Sequence, residues 1–361
     1  MLRKLLKPKI LIIIAGLIFG VLAACLVKWG NPSNMGFCTA CFLRDIAGAL
    51  GLHGNKAVQY IRPEILGLVL GAFVAAFAFR EFRSRGGSSP LLRFLLGAFM
   101  MMGALVFLGC TVRAPLRLAG GDLNGITAIG GIIVGVIIGI IFLRSGFSLG
   151  RSTKMHAAAG WIMPVLMIGI LLLAIFIPSF ILRSESGPAS LHPALWISII
   201  VGLVVGMLAQ RTRMCFAGGW RDLIMVRDTY LFSGIAAFFI AALITNYALG
   251  YVHWGFIQAG TPEAAQYIAQ DNHLWNFFSM GLVGLAATLL GGCPLRQTIL
   301  SGEGDTDAGV TVLGMLVGAA FAHNFLTASS PKGIGANSEI AVIIGLVFCL
   351  ILGFMMREKT A

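Results

Sequence analysis

The sequence predicts an all-α polytopic membrane protein built as an inverted repeat, with about nine or ten transmembrane helices and four short re-entrant helices or loops. Three observations carry this. Of the 361 residues, 58% are hydrophobic and only 11% charged, less than half the charge of an ordinary soluble domain. Apolar runs long enough to cross ~30 Å of hydrocarbon recur from end to end. Finally, the two halves of the chain carry the same polar motifs at the same spacings. The 47 glycines agree with this class, because small residues let membrane helices approach closely.

The first span falls at 10–27. Arg3, Lys4, Lys7 and Lys9 precede it and Leu22-Ala23-Ala24-Cys25 closes it, a pattern resembling a lipoprotein signal with a lipidated cysteine. An echo in the second half, GLIFGVLA at 16–23 against GLVVGMLA at 202–209, reads it instead as an ordinary membrane helix. Stretch 31–50 is too polar to cross and too apolar for a plain loop; it holds Cys38-Thr39-Ala40-Cys41 and Arg44-Asp45. Spans at 64–79 and 94–108 follow, then a second mixed stretch, 109–125, and a span at 126–143. These make a first transmembrane unit, 1–145. A linker, 146–190, brings an extra span at 160–182. The second, inverted unit, 191–330, has spans at 192–209, 231–250, 274–290 and 308–328, with mixed stretches at 210–230 and 291–307. A last span, 338–356, lies in the closing segment 331–361.

The duplication is explicit. Gly109-Cys110-x-x-Arg113, Gly121-Asp122 and Gly131-x-x-Val134-Gly135 are matched by Gly292-Cys293-x-x-Arg296, Gly304-Asp305 and Gly314-x-x-Val317-Gly318. Likewise Cys38-x5-Arg44-Asp45 is matched by Cys215-x5-Arg221-Asp222. The repeated units are roughly 140 residues long.

Orientation follows from the loops. The amino terminus, Arg80–Arg93, Arg144–Lys154 and the tail Arg357–Lys359 are basic, whereas loop 251–273 is acidic and His-bearing. Basic loops belong in the cytoplasm, so both ends lie inside. Stretches 31–50 and 109–125 then enter from the outer face, and 210–230 and 291–307 from the cytoplasm. The net charge of +12 sits in these short loops; it reads as an orientation signal and an attraction for small anions, not as a nucleic-acid face. Inverted repeats with interrupted, Gly-rich segments place a permeant site near the bilayer midplane, and irregular backbone there must line protein or water.

Five of the seven cysteines lie in the mixed stretches. A thiol is a polarizable, weak donor that sits in a dry constriction without the cost of a charge. Cys38, Cys110, Cys215 and Cys293, at matched places, would suit a soft solute containing sulfur or selenium; the bland alternative is tight packing beside glycine. Cys25 and Cys349 lie in plain spans and read as packing. Arg44, Arg113, Arg221 and Arg296 recur with the thiols. An embedded Arg is usually paired or faces water, and its planar fork suits an oxyanion. Asp45, Asp122, Asp222 and Asp305 are available to pair these arginines or to cap helices. Cys41 has Gly218 as its counterpart, so the CxxC dithiol embellishes one half only. It lacks the further ligands of a zinc site, which leaves pore lining or, alternatively, a membrane thiol-disulfide redox role for Cys38 and Cys41. His156, His192, His253 and His273 read as interfacial, and His323 beside Asn324 as a satisfied polar group. No nucleotide-binding loop or catalytic triad spacing is visible. The expectation is a transporter rather than an enzyme, without metal or other cofactor.

The motifs NPSNMGFCTACFLRD, GCTVRAPLRLAGGD, RTRMCFAGGWRD and GGCPLRQTILSGEGD, which span nearly the whole chain, resemble the YeeE/YedE family of bacterial inner-membrane proteins associated with sulfur transport and thiosulfate uptake. The resemblance implies an hourglass body with short helices at the waist, through which thiosulfate passes along cysteines by S–H hydrogen bonding without stable covalent chemistry. Matched by motif, Cys110 and Cys293 are the firmest, then Cys38, then Cys215. The NPSNMGFCTAC segment is most similar to the YedE branch, linked to selenium metabolism, so the resemblance admits a thiosulfate-like anion or a selenium compound. It also implies a small soluble sulfur carrier of the TusA type as a partner, on a separate chain.

Overall fold

The computed structural model describes residues 8–357; Arg3, Lys4 and Lys7 and the tail beyond Arg357 lie outside it. The first unit contains α1 (Pro8–Lys28), α2 (Thr39–Ala49), α3 (Pro63–Ala78), α4 (Pro90–Phe107), α5 (Arg113–Ala119) and α6 (Asn124–Arg144). The linker contributes α7 (Ala157–Phe176). The second unit contains α8 (Leu195–Thr212), α9 (Phe216–Val226), α10 (Tyr230–Ala248), α11 (Pro262–Tyr267), α12 (His273–Leu289), α13 (Pro294–Gly302) and α14 (Thr306–Asn324), and α15 (Ser338–Met355) follows. A two-residue ladder, Arg85–Gly86 with Thr153–Lys154, joins two loops.

Among the described residues nine helical stretches of at least 18 residues are long and apolar enough to cross a bilayer. Helix α3, with 16 residues, is a shorter tenth of about 24 Å. Each mixed stretch forms a short helix: α2, α5, α9 and α13. Helix α11, inside the 251–273 loop, is an addition to the sequence reading. Its start is locally encoded, with Thr261 accepting from the Ala264 N–H and Pro262 in the first turn.

The two units do not pack as separate bodies. Helix α1 packs on α10, and its counterpart α8 packs on α3; α4 packs on α14, and its counterpart α12 on α6. Each of the four spanning helices of the first unit is thus partnered by the exchanged helix of the other unit. The repeated glycines are the crossing points. A Cβ at Gly16 or Gly20 would overlap backbone of α10, and one at Gly202 or Gly206 would overlap backbone of α3. Gly131 and Gly135 meet α12, and Gly314 and Gly318 meet α4, in the same way. Small residues at these positions bring the helices into direct backbone contact, the association mode that operates where lipid supplies no hydrophobic drive.

The units are antiparallel. Gly30, just past α1, lies against the His192 carbonyl just before α8, whereas Lys9 at the start of α1 reaches Thr229 at the start of α10 (3.0 Å). One rim of the body therefore gathers the start of α1, Arg80–Arg93, Arg144–Lys154 and the end of α15, where Phe147 bridges to Arg357. We call it the basic rim. Stretches 31–50 and 109–125 open on the opposite rim, and 210–230 and 291–307 on the basic rim. Helix α7 supplies the extra crossing and lies outside the exchange, against α3, α13 and α14.

Candidate functional site

All four matched cysteines sit where the chain turns into a short helix. Cys38 immediately precedes α2, and its carbonyl accepts from the Phe42 N–H (3.0 Å). The Cys110 carbonyl accepts from Arg113 and Ala114 at the start of α5 (2.9 and 3.1 Å). Cys215 caps α9, its sulfur accepting from the Gly218 N–H (3.2 Å). Cys293 precedes α13, whose first residue is Pro294, a residue suited to that position because its missing N–H would find no helical partner there. Gly36, at φ +51°, makes the turn into α2 against Ala23 and Leu116, where a side chain would have no room.

The cysteines form two pairs, one per unit. Cys38 Sγ and Cys110 Sγ are 3.6 Å apart, and Cys215 Sγ accepts from the Cys293 N–H at 3.4 Å. All four are buried, the most exposed, Cys215, at 5%. Thr111, beside Cys110 in sequence, lies against the Cys293 thiol and so joins the pairs. The Thr39 hydroxyl, following Cys38, is buried and makes no hydrogen bond within the protein, whereas that of Thr111 has the Cys293 thiol beside it. Both are polar groups beside the thiols. The four-thiol repeat pointed to this place, but neither threonine has a threonine counterpart, so the repeat did not mark them.

The arginines divide by partner. Arg44 bonds its neighbour Asp45 (2.7 Å), and Arg62 takes the other oxygen of that carboxylate (2.7 Å). Arg221 pairs with Asp222 (2.8 Å). Arg296 pairs with Glu303 (2.8 Å) rather than with Asp305, which pairs with Arg85 (2.7 Å) and caps α14. Asp122 pairs with Arg117 (2.5 Å), not with Arg113. Two of the four arginine–aspartate pairings open from sequence are thus replaced, because Glu303 and Arg117 come closer. Arg113 differs from the rest. Its Nε donates to the Asn34 carbonyl (3.2 Å), its Nη2 to the carbonyls of Tyr267 and Ile268 (3.0 and 3.3 Å), and its Nη1 to the Leu108 carbonyl and the Cys41 sulfur (3.7 Å). It is fully buried and, among the described residues, has no carboxylate partner.

Cys41 donates to the Leu108 carbonyl (3.5 Å) and receives from Arg113, so it stands over the guanidinium while Cys38 faces Cys110. Cys25 lies in α1 and Cys349 in α15, away from the waist elements. His156 caps α7. His323 is only half satisfied: Nδ1 meets Asn55 (3.2 Å), Nε2 is buried without a partner, and the ring lies 4.5 Å from His53.

Cavities lie at both rims. On the opposite rim a cavity of about 700 Å³ is walled by Asn31, Asn34, Asn246, His253, Tyr267 and Ile268, among others; three of these residues hold Arg113. On the basic rim two cavities of about 220 and 200 Å³ share Arg93, Gly150 and Leu290, and Arg221 lines the second.

This is the anatomy of a multi-pass helical membrane protein with its repeated cysteines buried at the starts of four short helices. The family model for sulphur transport matches residues 1–138 and 211–356, most of the chain, and the protein belongs to that family. It is also similar to the thiosulfate transporter TsuA of Spirochaeta thermophila, with 30% identity over 125 residues. That match covers 35% of each chain, so this protein spans about a third of the length of the curated relative.

Proposed function

We propose that this protein carries a small sulfur oxyanion of the thiosulfate class, or a selenium compound of similar size, across the bacterial inner membrane. The permeant passes Cys38, Cys110, Cys293 and Cys215 through S–H hydrogen bonds, with no covalent intermediate. The observation that carries this reading is Arg113: a buried cation held only by neutral carbonyls and a thiol, beside the paired cysteines. Burying a charge without a counter-charge costs several kcal/mol, and an anion arriving at the waist relieves that cost. Arg113 supplies charge rather than a direct fork, because its donors are already occupied; contact falls to the thiols and to the hydroxyls of Thr39 and Thr111 beside them. Arg221 and Arg93 line the cavities at the basic rim although each is paired, with Asp222 and Asp307, and Arg44 and Arg296 hold their short helices through Asp45 and Glu303. The basic rim faces the cytoplasm, where a soluble carrier of the TusA type would receive the solute. Cys41, set on Arg113 in one half only, is the residue that would adapt the site between sulfur and selenium.

The test is uptake of labelled thiosulfate and selenite into vesicles by the wild type, Cys110→Ala and Cys293→Ala, at matched protein levels. Uptake of one solute, abolished by both substitutions, is the expected result and names the permeant. Normal transport by the variants, combined with activity that depends on a Cys38–Cys41 disulfide, would replace the relay with dithiol redox chemistry.

A further inference from the structure

Beside the large cavity, at the start of α3, lies a carboxyl group that neither the relay nor the packing explains. Glu64 is fully buried. Its Oε1 accepts twice, from Asn31 Nδ2 and from Ser198 Oγ, both at 3.0 Å. Its Oε2 is buried and accepts from nothing. The Asn31 amide is fixed in this sense: Arg62, a donor only, bonds its Oδ1 (3.1 Å), and Nδ2 also donates to the Gly36 carbonyl (3.0 Å). Arg62 itself is spent on Asp45, Asn31 and the carbonyls of Leu191 and Pro188. Among the described residues no cation forms an ion pair with Glu64.

The fold does not need this acid. The Gly202 position in α8 meets the Glu64 carbonyl, just as the repeat-related Gly16 in α1 meets the Gly234 carbonyl. Gly206 meets Leu68 as Gly20 meets Phe238. Glu64 and Gly234 therefore occupy matching places, and the matching partner of Ser198 is Ile12, which lies against Gly234. One crossing is made with an apolar pair, the other with a carboxyl and a hydroxyl. A fully buried carboxyl in an apolar membrane helix, with no ion-pair partner among the described residues, is a functional group by default.

We propose that Glu64 is a proton-binding site that couples the proton gradient to anion uptake. Oε1 accepts from two donors whereas Oε2 has no partner, which leaves Oε2 as the position to take a proton. Glu64 lies in the first turn of α3, where the helix dipole favours negative charge. The surrounding charges are Arg44 and Asp45 from α2, Arg62 before α3, and Tyr60, with Arg183 and His192 beyond it; α1 and α8 contribute Asn31 and Ser198. With Glu64 ionised, Arg44, Arg62, Asp45 and Glu64 sum to zero. With Glu64 protonated the cluster is a net cation, set behind Asn31, Pro188 and Leu191 in the wall of the large cavity. An anion in that cavity favours the proton and the proton favours the anion, which is the reciprocal linkage symport requires.

This inference rests on the transport reading above, and its test separates the two. Proteoliposomes with clamped membrane potential are assayed with labelled thiosulfate, first for exchange without any gradient, then for accumulation driven by acid outside. Accumulation in the wild type, lost in Glu64→Gln while exchange persists, is the expected result. Exchange without proton-driven accumulation, accumulation driven by sodium instead, or a Glu64→Gln protein that still accumulates overturns the proton site and leaves the transport reading intact. Absence of exchange in the wild type removes the transport reading. In that case infrared spectroscopy of the purified protein decides: a protonated-carboxyl C=O band present in wild type, absent in Glu64→Gln and shifted in Glu64→Asp upholds the site, and its absence from wild type overturns it.

Discussion

Two arginines four residues apart show how much the partner decides. Arg113 and Arg117 are both fully buried in α5, yet one is held by carbonyls and the other by Asp122. Replacing Arg113 with Gln should leave folded protein while lowering the initial rate of thiosulfate uptake roughly tenfold or more, the effect of losing about 1.4 kcal/mol of charge stabilisation; initial rates at matched expression check this. Replacing Arg117 with Gln should strand Asp122 and cost about 3–5 kcal/mol of stability, seen as aggregation or a lost melting transition in detergent. The sequence marked Arg113 because its repeat partner Arg296 stands at the same spacing. It was silent on Arg117, Arg62 and Glu64, which have no counterparts at matching spacing. Nor did the repeat disclose which arginine lacks a carboxylate, since Glu303 and Asp122 reach their partners only through the turns that close α13 and α5.

At the scale of elements, the spans and the four short helices were legible because their signals are local: an apolar run, then its interruption by Gly, Pro, Arg and Asp. Helix α11 was not, since six residues carry too little periodicity to stand out within a polar loop. The repeated glycines were legible as repetition, and their function as crossing points emerges only with the partner helix in place. Gly20→Val should therefore be severe, because the added carbons meet the Phe238 carbonyl and α10 backbone, with a loss of more than about 1–3 kcal/mol. Gly169→Ala in α7 meets open space and should be neutral or slightly stabilising, by up to about 1 kcal/mol. Thermal melts of the two purified variants in one detergent provide the comparison.

For the whole molecule, the units are tied at the basic rim as well as in the core. Glu81, after α3, accepts from Gln210 (2.9 Å) and pairs with Arg211 (3.0 Å), both of α8. Burial raises its pKa, but the hydrogen bonds from Gln210 and Arg211 outweigh that and hold the carboxyl below its ordinary value. A depressed folded value means the contact contributes fully above the ordinary Glu range and is lost as the pH falls through the folded value. Glu81→Gln should lower stability modestly near pH 7, by no more than about 1 kcal/mol, with the difference from wild type vanishing in acid; melting curves across pH check it. The exchange of helices between units was the least legible feature of the fold. Apolar faces in a membrane sequence look alike to lipid and to protein, so nothing local says which helix each will choose.

That exchange bears on how such a chain came to exist. A half-protein of this kind would leave the glycine faces of α1 and α6 without partners, and could satisfy them only with a second copy inserted the other way up. The duplicated gene therefore implies an ancestor that entered the membrane in both orientations and worked as an antiparallel dimer. Fusion fixed one orientation for each copy, and the helix α7 is the crossing that made the fusion possible. Once the copies were joined, each was free to diverge, and Glu64 opposite Gly234 records that freedom.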